Sequence, residues 1–149
     1  FFHIGLIKTI LPNAKIIDTR RDPMDTCFSC YKQFFARGQL FTYSLEDLGN
    51  NYTDFIRAMN HWHNVYGKDI YTVHYDNVIN KTEETIRELI DYCNLPFEKE
   101  CLEFYKSSRP VKTPSAEQVR QPIYKSGLNY WKKYEKHLVP LKKIIDEIN

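Results

Sequence analysis

A short apolar run leads directly into a helix start near the beginning of the chain, and this pattern limits the possible folds most strongly. Residues 14–19 have the length and composition of a buried strand. Asp22 and Pro23 follow as a favoured N-cap and first helical residue, which predicts a helix to about Phe35. A second strand is predicted at residues 70–75. Strands separated by helices indicate an α/β domain with a parallel sheet.

Helical patterns flank both strands. They are predicted at residues 4–10, 44–66 with Ser44 as N-cap, 80–94 with Asn80 as N-cap, 98–105, 127–134 and 138–148. Residues 107–124 contain three prolines and no periodicity, and a structureless loop of that length is usually functional. A length of 149 residues suits one domain. Two strands are few for a parallel sheet, and the chain opens inside a helical pattern at Phe1. We therefore expect a piece of a longer protein, with further strands upstream.

Composition and charge exclude several classes of protein. A hydrophobic content of 42% and a charged content of 27% are ordinary for a globular domain. No apolar run approaches the ~20 residues of a membrane span, so no membrane partner is expected. Acidic residues dominate positions 44–104, whereas basic residues dominate positions 106–143. The C-terminal third therefore either faces an anion or is a solvated basic surface.

The cysteines favour a reducing compartment. Cys93 and Cys101 lie on apolar stripes and are predicted to be core thiols. Cys27 and Cys30 have the spacing of a redox dithiol, but they fall inside the predicted helix rather than at its start, where a low thiol pKa is expected. Reduced thiols and a cytoplasmic location are expected in preference to the Golgi lumen. Nothing in the sequence requires a metal.

An arginine and a serine around the first helix start suggest an anion site. Arg21 follows the strand and Ser29 lies eight residues further on. A guanidinium and a hydroxyl placed in this way can converge on one phosphate. The alternative is that Arg21 pairs with Asp25 and Ser29 packs within the helix. Tyr75 stands at the end of the second strand, where open α/β sheets bind ligands, and either stacks on a base or caps the strand.

The segment 113–126 supplies a third element. It contains hydroxyl side chains together with Arg120 and Lys125. Such a loop can fold over a nucleotide and cover its charged end.

With these three elements, the chain resembles the sulfotransferases that use 3′-phosphoadenosine 5′-phosphosulfate. It is most similar to the tyrosylprotein-type members and the bacterial members linked to tetratricopeptide repeats. The resemblance spans residues 6–141. It rests on the stretch from Arg21 to Asp25 with Ser29, on Tyr75 and Asp76, and on residues 118–124 with Trp131.

The resemblance implies a partial P-loop-NTPase-like domain of three layers, with a parallel sheet flanked by helices. Residues 1–149 would be the C-terminal part of a single sulfotransferase domain. The partners would be the nucleotide donor and an acceptor hydroxyl, on a protein tyrosine or a small molecule. In the family, the residues matching Arg21 and Ser29 hold the 3′-phosphate, the one matching Tyr75 lies by the adenine, and the loop matching 115–124 closes over the nucleotide. The implied binding residues are Arg21, Ser29, Tyr75, Ser115, Gln118, Arg120, Tyr124 and Lys125.

The chain also departs from the family pattern. Gln33 stands where some relatives carry a second arginine, and Tyr130 stands where tyrosylprotein-type members carry a lysine. In the family, a glycine-bearing turn binds the 5′-phosphosulfate, and another segment supplies the catalytic base. Neither is found in this sequence. Catalytic residues therefore stay unknown, and we expect these 149 residues alone to be inactive.

Two other functions stay open from the sequence. One is a P-loop-type nucleotide kinase-like domain, which would need an upstream phosphate loop and magnesium. The other is a non-enzymatic module whose basic third binds nucleic acid or acidic protein; the absence of an aromatic–basic RNA motif makes nucleic acid an unfavoured partner. The histidines are expected to be structural or solvent-facing. Of the five in the chain, this applies to the four that could be considered as bases or ligands, namely His3, His61, His63 and His74.

Overall fold

A computed structural model describes residues 1–35, 37–111, 116–123 and 127–148. Two strands and six α-helices occur in these ranges. The strands are β1 (Ile16–Arg20) and β2 (Ile70–His74), and the helices are α1 (Ile4–Ile10), α2 (Pro23–Lys32), α3 (Leu45–Tyr66), α4 (Tyr75–Asn80), α5 (Thr82–Tyr92) and α6 (Val139–Asp146). Short 3-10 helices lie at Leu40–Tyr43, Gly67–Asp69, Lys99–Cys101, Phe104–Lys106, Gln118–Arg120 and Tyr130–His137. None of the helices in these ranges combines the length and apolarity of a membrane span.

The two strands pair in parallel, as the sequence predicts. Ile16 lies opposite Ile70, and Arg20 lies opposite His74. The intervening chain contains α2 and α3, which supply the long crossover that a parallel pair requires. The described part of the chain is therefore a mixed, mainly helical α/β structure, which confirms the predicted fold class.

Local hydrogen bonds begin the two helices of the crossover. The carboxylate of Asp22 accepts from the Asp25 backbone N–H at 2.8 Å, and Pro23 occupies the first turn of α2. The hydroxyl of Ser44 accepts from the Asp47 N–H at 3.2 Å at the start of α3. Both N-caps confirm the prediction from sequence. Since β1 ends at Arg20 and α2 begins at Pro23, Arg21 is held at the junction of strand and helix.

Two apolar clusters hold the elements together. The larger one joins α2, α3 and α6 through Phe28, Leu48 and Leu141. The smaller one joins α1 and α3 to the sheet through Ile4, Met59 and Ile70. Helices α3 and α6 approach so closely at Gly49 that an added Cβ would lie 3.1 Å from the Ile144 side chain. Helix α2, which begins just after Arg21, is therefore packed firmly against α3 and α6.

Several predicted boundaries are wrong. Asn80 does not cap a helix: it is the last residue of α4, and α5 begins after Lys81 without a side-chain cap. The break arises because Lys81 leaves the helical conformation, with φ −136° and ψ 48°. The segment predicted as a helix at 98–105 forms two 3-10 turns, closed by bonds such as Cys101 N–H to the Glu98 carbonyl.

The end of the chain differs in the same way. The helix predicted at 127–134 is a 3-10 helix that follows Asn129, whose φ of 56° is left-handed. The helix predicted at 138–148 is the shorter α6. Cys93 and Cys101 are half-buried rather than core residues.

Candidate functional site

A cavity of about 240 Å³ opens beyond the carboxyl end of β1, against α2 and the start of α4. It brings together four residues that the sequence predicts for one site, namely Arg21, Ser29, Tyr75 and Gln118. They come from distant parts of the chain. The remaining lining residues are Asp25, Phe28, Lys32, Gly127 and Tyr130.

Arg21 lines this cavity and contacts two of its other lining residues, Gly127 and Tyr75. Its guanidinium donates to the Gly127 carbonyl and lies over the Tyr75 ring, 5.2 Å from the centroid. One terminal nitrogen is 3.9 Å from the Asp25 carboxylate. The Arg21–Asp25 ion pair that the sequence offers as an alternative is therefore present, but at a long distance. The Arg21 Nε is buried and has no hydrogen-bond partner among the described residues. About a quarter of the Arg21 side chain is still exposed, so the rest of its guanidinium can donate to a ligand.

Asp25 also lines the cavity and binds the C-terminal segment of the chain. Its buried carboxylate accepts from the backbone N–H of Asn129 at 2.7 Å and from that of Trp131 at 3.3 Å. Because these N–H groups open the 3-10 helix Tyr130–His137, Asp25 acts as its cap from a distant element. The sequence identifies Asp25 only as a partner of Arg21. No local signal reveals the capping role, since the two partners are 104 and 106 residues away.

The other predicted residues fall in three groups. Ser29 is exposed on α2 and lines the cavity with Tyr75, which is the first residue of α4 rather than the last of the strand. Arg120 is not among the lining residues: its guanidinium donates to the backbone carbonyls of Ser107 and Arg109. The remaining three predicted residues, Ser115, Tyr124 and Lys125, lie outside the described residues.

Lys32 and Tyr130 also line the cavity, although the sequence analysis does not select them as binding residues. The Lys32 ammonium lies 4.2 Å from the centroid of the Tyr130 ring and 5.1 Å from that of Phe28. Helical spacing offers a signal for Lys32, because it follows Ser29 by three residues and so shares its helix face. Tyr130 has no equivalent local signal.

A second cavity, of about 250 Å³, is also lined by Arg21 and is mainly apolar. Cys27 and Cys30 line it together with aromatic side chains, among them Phe41, Tyr52 and Phe55. Burial, with smaller contributions from Cys30 and Asp22, raises the pKa of Cys27 to about 12. Burial also raises the pKa of Cys30, although Arg21 opposes the change. Both thiols are therefore protonated at neutral pH, which disfavours a redox dithiol.

The histidines lie outside the first cavity. His63 Nε2 is 3.2 Å from the buried Asp18 carboxylate, which also accepts from Arg20 Nε at 2.7 Å. His61 packs edge-on against Trp62. Within the described ranges, no group of three His, Cys, Asp or Glu side chains is placed to hold a metal ion.

Comparison with known proteins assigns the chain to a family. A protein-family model described as "Sulfotransferase family" matches residues 1–99 of the chain, which include Arg21, Ser29 and Tyr75. An uncharacterised protein of Aquifex aeolicus (strain VF5) is 41% identical over 150 residues, which cover 99% of this chain and 20% of that relative. The chain thus spans about a fifth of the length of the relative that it matches. Since the family model covers β1, α2, β2 and α5, and with them three of the cavity residues, the chain belongs to the sulfotransferase family.

Proposed function

We propose that this chain binds the nucleotide in a sulfotransferase that moves a sulfuryl group from 3′-phosphoadenosine 5′-phosphosulfate to a hydroxyl. Residues 1–149 would then be the C-terminal part of one sulfotransferase domain. One observation carries the proposal: Arg21 and Ser29 from one segment of the chain and Tyr75 from another line one cavity at the carboxyl end of a parallel sheet. Family membership makes the sulfuryl donor the expected ligand.

The residues present suit a phosphorylated nucleoside. Arg21 lines the cavity with its side chain about a quarter exposed, and its guanidinium can donate to a phosphate oxygen. The exposed hydroxyl of Ser29 can donate to the same phosphate from α2. The Tyr75 ring, already packed on the Arg21 guanidinium, offers a flat surface beside which an adenine can lie. In this arrangement Arg21 and Ser29 bind the 3′-phosphate, and Gln118 approaches from the loop.

The transfer itself would break the bond between sulfur and the 5′-phosphate oxygen and form a bond to the acceptor oxygen, whose proton leaves to a base. The chain's part is to hold the donor in line with the acceptor, because positioning accounts for much of the rate in transfers of this type. No described residue is assigned as the base. We therefore propose that these 149 residues alone do not complete the transfer.

For the acceptor, we propose an aromatic hydroxyl such as a protein tyrosine. Arg21 also lines the apolar cavity, whose aromatic side chains are Phe41, Tyr52 and Phe55. A donor with its 3′-phosphate on Arg21 would have to extend its 5′ end over this cavity to meet the acceptor there. A phenol ring would fit such a surface better than a polar sugar would. This acceptor would place the chain with the tyrosylprotein-type or repeat-linked members.

The free cysteines support a reducing, cytoplasmic location.

Binding of the reaction product tests the proposal. Titration calorimetry of the full chain with adenosine 3′,5′-bisphosphate should give a measurable affinity, and Arg21→Ala should weaken it about 30-fold or more, as expected for a lost charged hydrogen bond. An unchanged affinity in Arg21→Ala would contradict the proposed site. Preferential binding of magnesium ATP over the bisphosphate would favour the kinase-like alternative instead.

A further inference from the structure

Lys32 is the last residue of α2, and its side chain reaches into the nucleotide cavity. We propose that Lys32 supplies the net positive charge of this cavity and thereby selects a nucleotide that carries a phosphate at the 3′ position over one that carries a hydroxyl there. The inference rests on the proposed function. It adds a residue that determines specificity and that the sequence resemblance does not supply.

The charge balance of the cavity points to Lys32. Arg21 faces the buried carboxylate of Asp25 at 3.9 Å, so these two charges largely offset each other. Lys32 has no carboxylate within 4.0 Å among the residues that the structure describes. The other described lining residues carry no formal charge; they are Phe28, Ser29, Tyr75, Gln118, Gly127 and Tyr130. A doubly charged phosphate in this cavity would therefore find its uncompensated counter-charge on Lys32.

The position of Lys32 also suits this role. Lys32 and Ser29 are three residues apart on α2, so the ammonium and the hydroxyl lie along one helix face. The rings of Phe28 and Tyr130 are nearly parallel, at 23°, and the ammonium lies 5.1 and 4.2 Å from their centroids. Cation–π contacts of this kind restrict the flexible lysine before a ligand arrives. Less conformational entropy is then lost on binding.

The neighbouring Gln33 does not perform this function. Its side-chain amide donates to the Phe34 carbonyl at 3.2 Å, and it is not among the residues that line the cavity. Gln33 stands where the resemblance implies an arginine in some family members, which suggests weak phosphate binding. Lys32 is one residue earlier in the chain. Its ammonium group supplies a positive charge in place of the arginine that Gln33 replaces.

Differential binding of two nucleotides tests the inference. Affinities of the full chain and of Lys32→Gln are measured by calorimetry for adenosine 3′,5′-bisphosphate and for adenosine 5′-monophosphate, which lacks the 3′-phosphate. We expect Lys32→Gln to weaken bisphosphate binding by about tenfold or more and monophosphate binding by less than about twofold. Lys32→Arg should retain most of the affinity for the bisphosphate. The dependence of bisphosphate affinity on salt should also become shallower in Lys32→Gln.

Lys133→Gln is the matched control. Lys133 lies 5.0 Å from the same Tyr130 ring but does not line the cavity, so its loss removes an equal charge nearby. Equal losses in the two glutamine variants would overturn the inference, because they would indicate only a diffuse electrostatic effect. Equal weakening of both nucleotides in Lys32→Gln would do the same. A wild-type chain that does not prefer the bisphosphate would overturn the proposed function, and this inference with it.

Discussion

The Asp25 carboxylate on α2 accepts a hydrogen bond from the backbone N–H of Asn129 at 2.7 Å, across 104 residues of chain. The same carboxylate accepts from the Trp131 N–H. These bonds hold the segment that carries Gly127 beside Arg21, whose guanidinium donates to the Gly127 carbonyl. One buried acid therefore joins the start of α2 to the segment that carries Gly127.

Asp25→Asn should destabilise the fold and loosen the cavity. The amide keeps one acceptor oxygen, whereas two backbone N–H groups now bind the two carboxylate oxygens. We expect the free energy of unfolding to fall by roughly 1–3 kcal/mol, the range for a buried donor left without its partner. Urea denaturation measures this change. Asp54→Asn is the control, because Asp54 is exposed and pairs with the exposed Arg57, so loss of its charge should have little effect.

Replacement of Arg120 by alanine should lower nucleotide affinity much less than replacement of Arg21 does. Arg21 lines the cavity, whereas the Arg120 guanidinium donates to the carbonyls of Ser107 and Arg109. Arg120→Ala should weaken binding of adenosine 3′,5′-bisphosphate by about fivefold or less, well below the loss in Arg21→Ala. Calorimetry on both variants makes the comparison. A loss in Arg120→Ala as large as that in Arg21→Ala would show that Arg120 contacts the phosphate directly.

Cys27 should make the fold less stable in alkaline solution. Burial holds its native pKa at about 12, above the ordinary value of 9.0. A group whose native pKa is raised contributes stability that is fully present below its unfolded pKa and is lost as pH rises towards the native value. The free energy of unfolding should therefore fall between about pH 9 and 12 more steeply in the wild type than in Cys27→Ala. Parallel slopes in the two proteins, measured by denaturation at several pH values, would contradict this prediction.

Gly49→Ala should destabilise the contact between α3 and α6. The new Cβ would lie 3.1 Å from three atoms of the Ile144 side chain, which must shift to accept it. Alanine is intrinsically favoured over glycine in a helix by about 1 kcal/mol, so a net loss of stability would demonstrate the clash. We expect a net decrease of about 1 kcal/mol in the free energy of unfolding, on the scale of an overpacked core. In a double-mutant cycle, Ile144→Ala should reduce the cost of Gly49→Ala, and strict additivity would exclude the contact.

Local chemistry in the sequence determines the two strands, the capped starts of α2 and α3, and the class of fold. Asp22 and Ser44 are recognisable as caps because each bonds an N–H only three residues away. The apolar run before Arg21 predicts β1 for a similarly local reason, since short buried strands have a distinctive composition. Such signals fail where a helix end has no cap, and Asn80 is the clearest example.

Only the tertiary structure decides which side chains share the cavity. The contacts of Asp25 with Asn129, of Arg21 with Gly127 and of Lys32 with Tyr130 each join residues about a hundred positions apart. Packing of α2 against the C-terminal segment creates these contacts through burial of a shared apolar cluster, to which many residues contribute. A motif can therefore indicate that Arg21 and Ser29 belong to an anion site. The charge balance of that site depends on partners that the fold brings together.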